Sequence, residues 1–110
     1  MATFYHRTTY QAALAILESG FRDRRGKYLM DIEVEGVWLS DAPLDANESA
    51  SGDTVLAVNL DEHEIACYET IEEGKPYREW IVPAAWLNAN SRPRVLSDDE
   101  RHQATQSRSA

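Results

Sequence analysis

One segment limits the possible folds of this chain more than any other, because it carries a helix signal with a clear beginning and a clear end. In "TTYQAALAILESGF", the hydroxyl of Thr8 or Thr9 can cap the first turn of a helix. Apolar side chains then follow the i, i+3, i+4, i+7 spacing of a helix with one buried face, at Tyr10, Ala13, Leu14 and Leu17. Gly20 can adopt the left-handed conformation that ends a helix, with Phe21 packing back against it. We therefore predict one well-defined helix near the N-terminus.

The rest of the chain is typical of short strands. Five segments have the alternating, β-branched or aromatic composition of strands: "TFYHR", "GVWLSD", "TVLAVNL", "EIACYETI" and "YREWIVP". Pro83 suits the first turn of a short helix in "PAAWLN", and "RPRVL" reads as a final edge strand. Residues 22–35 are mostly charged and are predicted to form a loop, and residues 44–53 a loop or a short helix. This order predicts an α+β domain rich in antiparallel strands.

The length and composition favour a single small domain. The chain has 110 residues, of which 43% are hydrophobic, enough for one modest core. We expect this domain to span residues 1–96 and the polar residues 97–110 to form a disordered tail. Neither a run of about 18 apolar residues nor a signal-peptide pattern is present, so a cytoplasmic location is the default expectation, without a membrane partner.

The charge balance bears on possible partners. Lys and Arg number 11 against 19 Asp and Glu, which gives a net charge of −8 and makes binding to duplex nucleic acid an unfavourable hypothesis. Four basic residues nevertheless lie close together in "FRDRRGK": Arg22, Arg24, Arg25 and Lys27. They fit either a solvated loop or a clamp for a phosphate or diphosphate, because arginine forks match phosphate oxygens.

The single cysteine limits redox and metal chemistry. Cys67 cannot form an internal disulfide or, by itself, a zinc site, and no His or carboxylate cluster around it has ligand spacing. We predict no metal site and expect Cys67 to be a small buried apolar group.

Three residues on predicted strands are not required by a purely structural reading: His6, Trp38 and Glu79. A surface or hydrogen-bonded core histidine, a core tryptophan and an arginine-paired glutamate would be the ordinary explanations. In "YREWIVP", alternation places Glu79 on one face with Tyr77 and Ile81. A carboxylate half-buried between such neighbours is costly unless it is paired or used.

The contexts of these three residues resemble one family. "FYHRTTYQAALAILESGF", "GVWLSD" and "YREWIVP" are similar, in this order, to the three motifs of the diphtheria-toxin and poly(ADP-ribose) polymerase branch of ADP-ribosyltransferases. The likeness covers residues 4–88. It implies a small split antiparallel β-sheet core with one N-terminal helix and short peripheral helices.

The resemblance implies roles for individual residues around NAD. His6 would bind the adenosine ribose, with the Thr8 hydroxyl close by and the backbone of Arg7 near the nicotinamide amide. Trp38 would pack against nicotinamide, and Glu79 would hold the nicotinamide ribose. Two further residues complete the predicted NAD-binding set, Ser40 from the second motif and Arg22 from the basic cluster.

The implied activity is NAD-dependent transfer of ADP-ribose to a protein, nucleic acid or small molecule, as in a toxin, defence or modification enzyme. Glu79, with His6, would act in catalysis by stabilising the oxocarbenium-like sugar that forms as nicotinamide leaves. Hydrolysis of NAD is a side reaction of the same chemistry. Three alternatives stay open: an inactive nucleotide- or protein-binding module, an acidic inhibitor or nucleic-acid mimic, and an RNA 2′-phosphotransferase. Arg7 in place of the family's glycine favours the first.

Overall fold

The computed structural model describes residues 1–28, 32–43, 54–70 and 77–97 and shows an α+β fold. Its strands are β1 (Ala2–Thr8), β2 (Arg24–Tyr28), β3 (Ile32–Ser40), β4 (Thr54–Leu60), β5 (Glu79–Val82) and β6 (Arg94–Val95). Its helices are α1 (Tyr10–Ser19), α2 (Glu62–Ile65) with a 3₁₀ turn after it (Ala66–Tyr68), and α3 (Ala84–Asn90). The predicted α+β class, with one main helix and short peripheral ones, is confirmed.

The six strands form one sheet in which the strand pairs are antiparallel, in the order β2-β3-β1-β4-β6, with β5 also paired to β3. β1 and β4 pair along their whole length. β1 and β3, in contrast, are joined among the described residues at one pair, Tyr5 with Ser40. The two halves of the sheet therefore separate beyond Tyr5, and this separation makes room for a cavity.

The core lies mainly on the face of the sheet that α1 and α3 cover. Its largest fully buried members include Trp80, Phe4, Leu39 and Leu87. A small second cluster, Val55, Ala57 and Leu96, lies on the other face of β4 with Tyr5 packed against it. β4 is therefore buried on both faces, which is why "TVLAVNL" is almost continuously apolar.

The ends of α1 follow the local signals, but its buried face does not. Thr9 is the cap and accepts a hydrogen bond from the N–H of Ala12 at 3.1 Å. Gly20 ends the helix at φ 91° and ψ 171°, a conformation open almost only to glycine, although it is not the left-handed helical one that we expected.

The predicted inward stripe of α1 is wrong apart from Ala13. Tyr10, Leu14 and Leu17 are 57%, 46% and 44% exposed. The helix instead turns Ala13 and Ile16 toward the core. Ala13 and Ile16 are three residues apart, so this face satisfies helical spacing as well as the predicted one does.

The loop predicted at residues 22–35 is confirmed at Arg22 and Asp23 but is wrong for 24–28 and 32–35, which form strands. β2 and the first half of β3 pair from Arg24 opposite Gly36 to Tyr28 opposite Ile32. The start of β3, "IEVE", does alternate and this signal was missed, whereas β2, "RRGKY", is mostly charged and lacks the alternation that marks a half-buried strand. Backbone pairing at the edge of the sheet does not need that alternation.

The predicted strand "EIACYETI" is also wrong over most of its length, because α2 and the 3₁₀ turn occupy this region. Asp61 caps α2 by accepting from the N–H of His63 at 3.0 Å, and acidic residues in the first turn suit a helix start. Among the described residues of this segment, Glu69 alone retains a strand-like bridge, to Trp80. Cys67 lies in the turn and is exposed, which corrects our expectation that it is buried.

The strand at 54–60, the helix that follows Pro83 and the edge strand near the C-terminus are confirmed. The loop or helix predicted at 44–53 and residues 98–110 of the predicted tail lie outside the described residues. Within the described part of the chain, no helix has the length and apolar character needed to cross a bilayer.

Candidate functional site

A cavity of about 380 Å³ lies where β1 and β3 separate, with α1 along one side. Ala12, Ala15 and Ile16 form the helix wall. The volume falls in the range of small-molecule sites, about 300–1,000 Å³. Four of the six residues predicted to bind NAD line this cavity: His6, Thr8, Trp38 and Arg22.

His6 lies across the gap between the two strands. Its Nδ1 is 2.8 Å from the carbonyl oxygen of Trp38, and its ring meets Phe21 edge-on at 5.7 Å between centroids. Because a carbonyl only accepts, Nδ1 carries the proton and donates this bond. Burial lowers the pKa of His6, and the nearby charge of Arg24 lowers it further, while the bond to Trp38 opposes them. The ring is therefore neutral near pH 7, and Nε2 can accept a hydrogen bond from a ligand hydroxyl.

Trp38 is half-buried and lines the same cavity. Its indole lies against Gly26 of β2: a Cβ added at Gly26 would come within 2.8 Å of Cη2 of the indole. Glycine at this position therefore sets where the ring can lie. An indole face of this kind can stack on a flat, electron-poor ring such as nicotinamide.

The basic cluster is divided by the fold. Arg22 and Arg24 are exposed and line the cavity, whereas Arg25 pairs with Glu33 at 3.3 Å. The side chain of Lys27 lies outside those that the structure describes. Two guanidinium groups at one cavity are a suitable binding site for a phosphate or diphosphate group.

Glu79 lies apart from these residues. It is the first residue of β5, is half-buried, and is not among the residues that line the cavity. It pairs with Ser40, while Trp38 pairs with Ile81. Directly opposed residues share a face, so Glu79 and Trp38 are diagonal neighbours on one face of the sheet, about 7–8 Å apart at Cβ. As the alternation in "YREWIVP" predicted, Tyr77 and Ile81 are also half-buried and Trp80 is buried.

Three further predicted site residues occupy different places. Thr8 is buried and lines the cavity. Ser40 is buried outside it, and its hydroxyl donates to the carbonyl of Ala42 at 2.7 Å. Arg7 is half-buried, and by strand alternation its side chain lies on the face of β1 opposite His6.

Sequence reasoning missed part of the cavity wall and a second groove. Arg24, Phe21 and Gly36 also line the cavity; Arg24 had a signal in the basic cluster and Phe21 as the apolar residue after Gly20, whereas Gly36 had none for this wall. A more open, polar groove of about 850 Å³ borders the cavity and shares Ile16, Ser19 and Gly20 with it. Its other side is formed by the end of α3 and the segment after it. There the side-chain amide of Asn88 accepts from the N–H of Phe21 at 2.7 Å and donates to the carbonyl of Phe21 at 2.9 Å.

The described residues contain no group of three or more His, Cys, Asp or Glu side chains placed to hold a metal ion. The functional groups at the cavity are an imidazole, an indole and two guanidinium groups, and the carboxylate of Glu79 lies outside the cavity lining.

Comparison with known proteins adds no family to this description. The chain matches no protein-family model, no curated protein and no solved structure.

Proposed function

We propose that the protein binds NAD in the cavity between β1 and β3 and transfers its ADP-ribose group to an acceptor. The observation that carries this proposal is that His6, Trp38 and two arginines, which lie far apart in sequence, line one cavity. Their chemistry matches the parts of the dinucleotide: an acceptor nitrogen for a ribose hydroxyl, a flat ring for nicotinamide and cations for the diphosphate.

The size of the two adjoining spaces supports a ligand as large as a dinucleotide. The cavity of about 380 Å³ encloses part of NAD, and the groove that continues over Ser19 and Gly20 gives the remainder a polar surface. Arg22 and Arg24 line the cavity and can neutralise the two phosphates.

In the proposed reaction, the bond between nicotinamide and its ribose breaks. The ring leaves with the bonding electrons as a neutral base, so no general acid is needed. The positive charge then develops on the sugar, where the carboxylate of Glu79 stabilises it in the transition state. The acceptor supplies the nucleophile and loses a proton, and water in its place gives NAD hydrolysis.

The position of Glu79 outside the cavity lining favours a second candidate, a module that binds NAD or a related nucleotide without cleaving it. The two candidates differ in one property. Both require His6 and Trp38 for binding, but only the transferase requires Glu79.

The test compares wild-type protein with Glu79→Gln, using NAD labelled in nicotinamide for release and NAD labelled in adenosine, with cell lysate, for transfer. We expect Glu79→Gln to bind NAD within about threefold of wild type by calorimetry and to lose at least about 100-fold in nicotinamide release, because an electrostatic contact made in the transition state is removed. Glu33→Gln, an exposed glutamate of β3, is the matched control and should keep full activity.

Nicotinamide release that survives in Glu79→Gln would remove this residue from the mechanism. Tight binding of NAD by wild-type protein without release would instead establish the binding module. Absence of binding in wild-type protein would reject both candidates.

A further inference from the structure

Glu79 is held by its backbone on both sides, and on one of them β5 pairs with β3. Its carbonyl oxygen accepts two hydrogen bonds from Thr70, from the backbone N–H at 2.8 Å and from Oγ1 at 3.1 Å. Thr70 follows the 3₁₀ turn and the bridge residue Glu69. The segment after α2 therefore fixes the carbonyl side of Glu79.

The residue before Glu79 is joined to the end of β3. The N–H of Arg78 donates to Oδ1 of Asp41 at 3.0 Å, and the N–H of Asp41 donates to the carbonyl of Arg78 at 3.1 Å. Asp41 directly follows Ser40, the cross-strand partner of Glu79. These two hydrogen bonds extend the pairing of β3 with β5 by one residue beyond the Ser40–Glu79 pair.

The side chain of Arg78 adds a third set of contacts. Its Nε and Nη2 donate to both carboxylate oxygens of Glu69 at 2.9 and 2.7 Å, and Nη1 donates to Glu62 of α2 at 2.7 Å. The guanidinium also lies 4.9 Å from the ring centroid of Trp80, the residue after Glu79. One side chain thus ties α2, the segment after the 3₁₀ turn and β5 together.

Such a network contributes little to stability where it is solvated. The side chains of Arg78 and Glu62 are 48% and 46% exposed, and exposed ion pairs have a median value near zero. Its geometry is nevertheless specific. The guanidinium of Arg78 binds both oxygens of one carboxylate and one oxygen of a second, lies against an indole ring, and the backbone of Arg78 makes two further hydrogen bonds. Contacts of this kind restrict orientation more than they stabilise the fold.

We propose that Arg78, together with Asp41, is a positioning residue that fixes the direction in which Glu79 presents its carboxylate. This inference rests on the proposed function, since it assigns Arg78 a role in that reaction. A displacement of about 1 Å at a catalytic group can reduce a rate about 100-fold, so a solvated network can matter for turnover while it matters little for stability.

The experiment measures steady-state NAD cleavage by wild type, Arg78→Gln and Arg78→Lys. We expect kcat to fall at least about tenfold in both variants, with KM within about twofold, because the residues that line the cavity are unchanged. Lys keeps the charge but cannot form the fork, so it should recover little activity. Arg94→Gln, an exposed arginine of β6 that lines neither the cavity nor the groove, is the control and should behave as wild type.

A second readout does not depend on turnover. Amide hydrogen exchange at Thr70 reports the bond to the carbonyl of Glu79, and exchange at Arg78 reports the bond to Asp41. Both amides should exchange at least about fivefold faster in Arg78→Gln than in wild type, and Arg94→Gln should leave both unchanged.

The outcomes separate the two proposals. Unchanged exchange at Thr70 in Arg78→Gln overturns the positioning role whether or not NAD is cleaved. An active wild type whose kcat is unaffected by Arg78→Gln also overturns it. Faster exchange in the variant, with a wild type that binds NAD but does not cleave it, contradicts the proposed transferase alone and supports the structural coupling between Arg78 and Glu79.

Discussion

Two tryptophans on neighbouring strands show how differently the two faces of the β3–β5 pair are used. Trp80 is fully buried against Phe4, with ring centroids 4.8 Å apart in an edge-to-face arrangement. Trp38 is half-buried and lines the cavity. Their strand partners follow the same division, since Trp80 pairs with the buried Leu39 and Trp38 with the half-buried Ile81. One face of the pair builds the core, and the other carries the side chains of Trp38 and Glu79, which by strand register lie on the face opposite His6.

The cavity and the sheet edge around Glu79 are also held in place by different kinds of contact. The cavity is shaped by buried and small residues: an alanine-rich helix wall, Gly26 beneath the indole and the His6 bond to a backbone carbonyl. The edge around Glu79 is held by the solvated network of Arg78. Substitutions should therefore affect stability, binding and turnover to different degrees in the two regions.

The largest expected difference is between the two tryptophans. Trp80→Ala should lower the free energy of unfolding by about 3–5 kcal/mol, because it leaves a large void in the core. Trp38→Ala should cost much less stability but abolish measurable NAD binding. Urea denaturation followed by circular dichroism, with calorimetry for binding, measures both. Equal losses of stability in the two variants would contradict the division of the faces.

A smaller effect is expected at Gly26. A methyl group there would overlap the indole of Trp38 and move the ring, so Gly26→Ala should weaken NAD binding about tenfold, or about 1.4 kcal/mol. The test is a double-mutant cycle with Trp38→Phe, whose shorter ring leaves space for the methyl group. If Gly26→Ala weakens binding equally in both backgrounds, it does not act through the indole.

The smallest effect concerns protonation of His6. Burial holds its folded-state pKa below the ordinary value of 6.5, so the unfolded chain binds the proton more readily. The stability that neutral His6 contributes is fully present above pH 6.5 and is lost as the pH falls through 6.5 toward the lower, folded-state pKa. The difference in unfolding free energy between wild type and His6→Asn should therefore shrink as the pH is lowered from 7.5 to 5.5. A constant difference over this interval would show that the ring is not kept neutral by burial.

Local signals in the sequence predicted the parts of the fold that depend on neighbours in the chain. The helix cap, predicted at Thr8 or Thr9, the helix end at Gly20, the strand at 54–60 and the alternation around Glu79 are each encoded within a few residues. The predictions were wrong where the sequence fitted two local structures equally well, or where it showed no clear hydrophobic periodicity. The charged β2 strand, the helical start at Glu62 and the inward face of α1 are of this kind.

For the candidate site, too, some features follow from the sequence and others from the tertiary structure. The sequence by itself determined that Glu79 and Ile81 share one face of a strand and Trp80 the other, because side-chain direction alternates along any strand. Only the tertiary structure decided that His6 donates to the carbonyl of Trp38, 32 residues away, and that Arg22 and Arg24 join them while Glu79 lies on a neighbouring strand outside the cavity. Such meetings depend on strand order and on where β1 and β3 separate, and these are set by packing of the whole chain, which no short stretch of residues specifies.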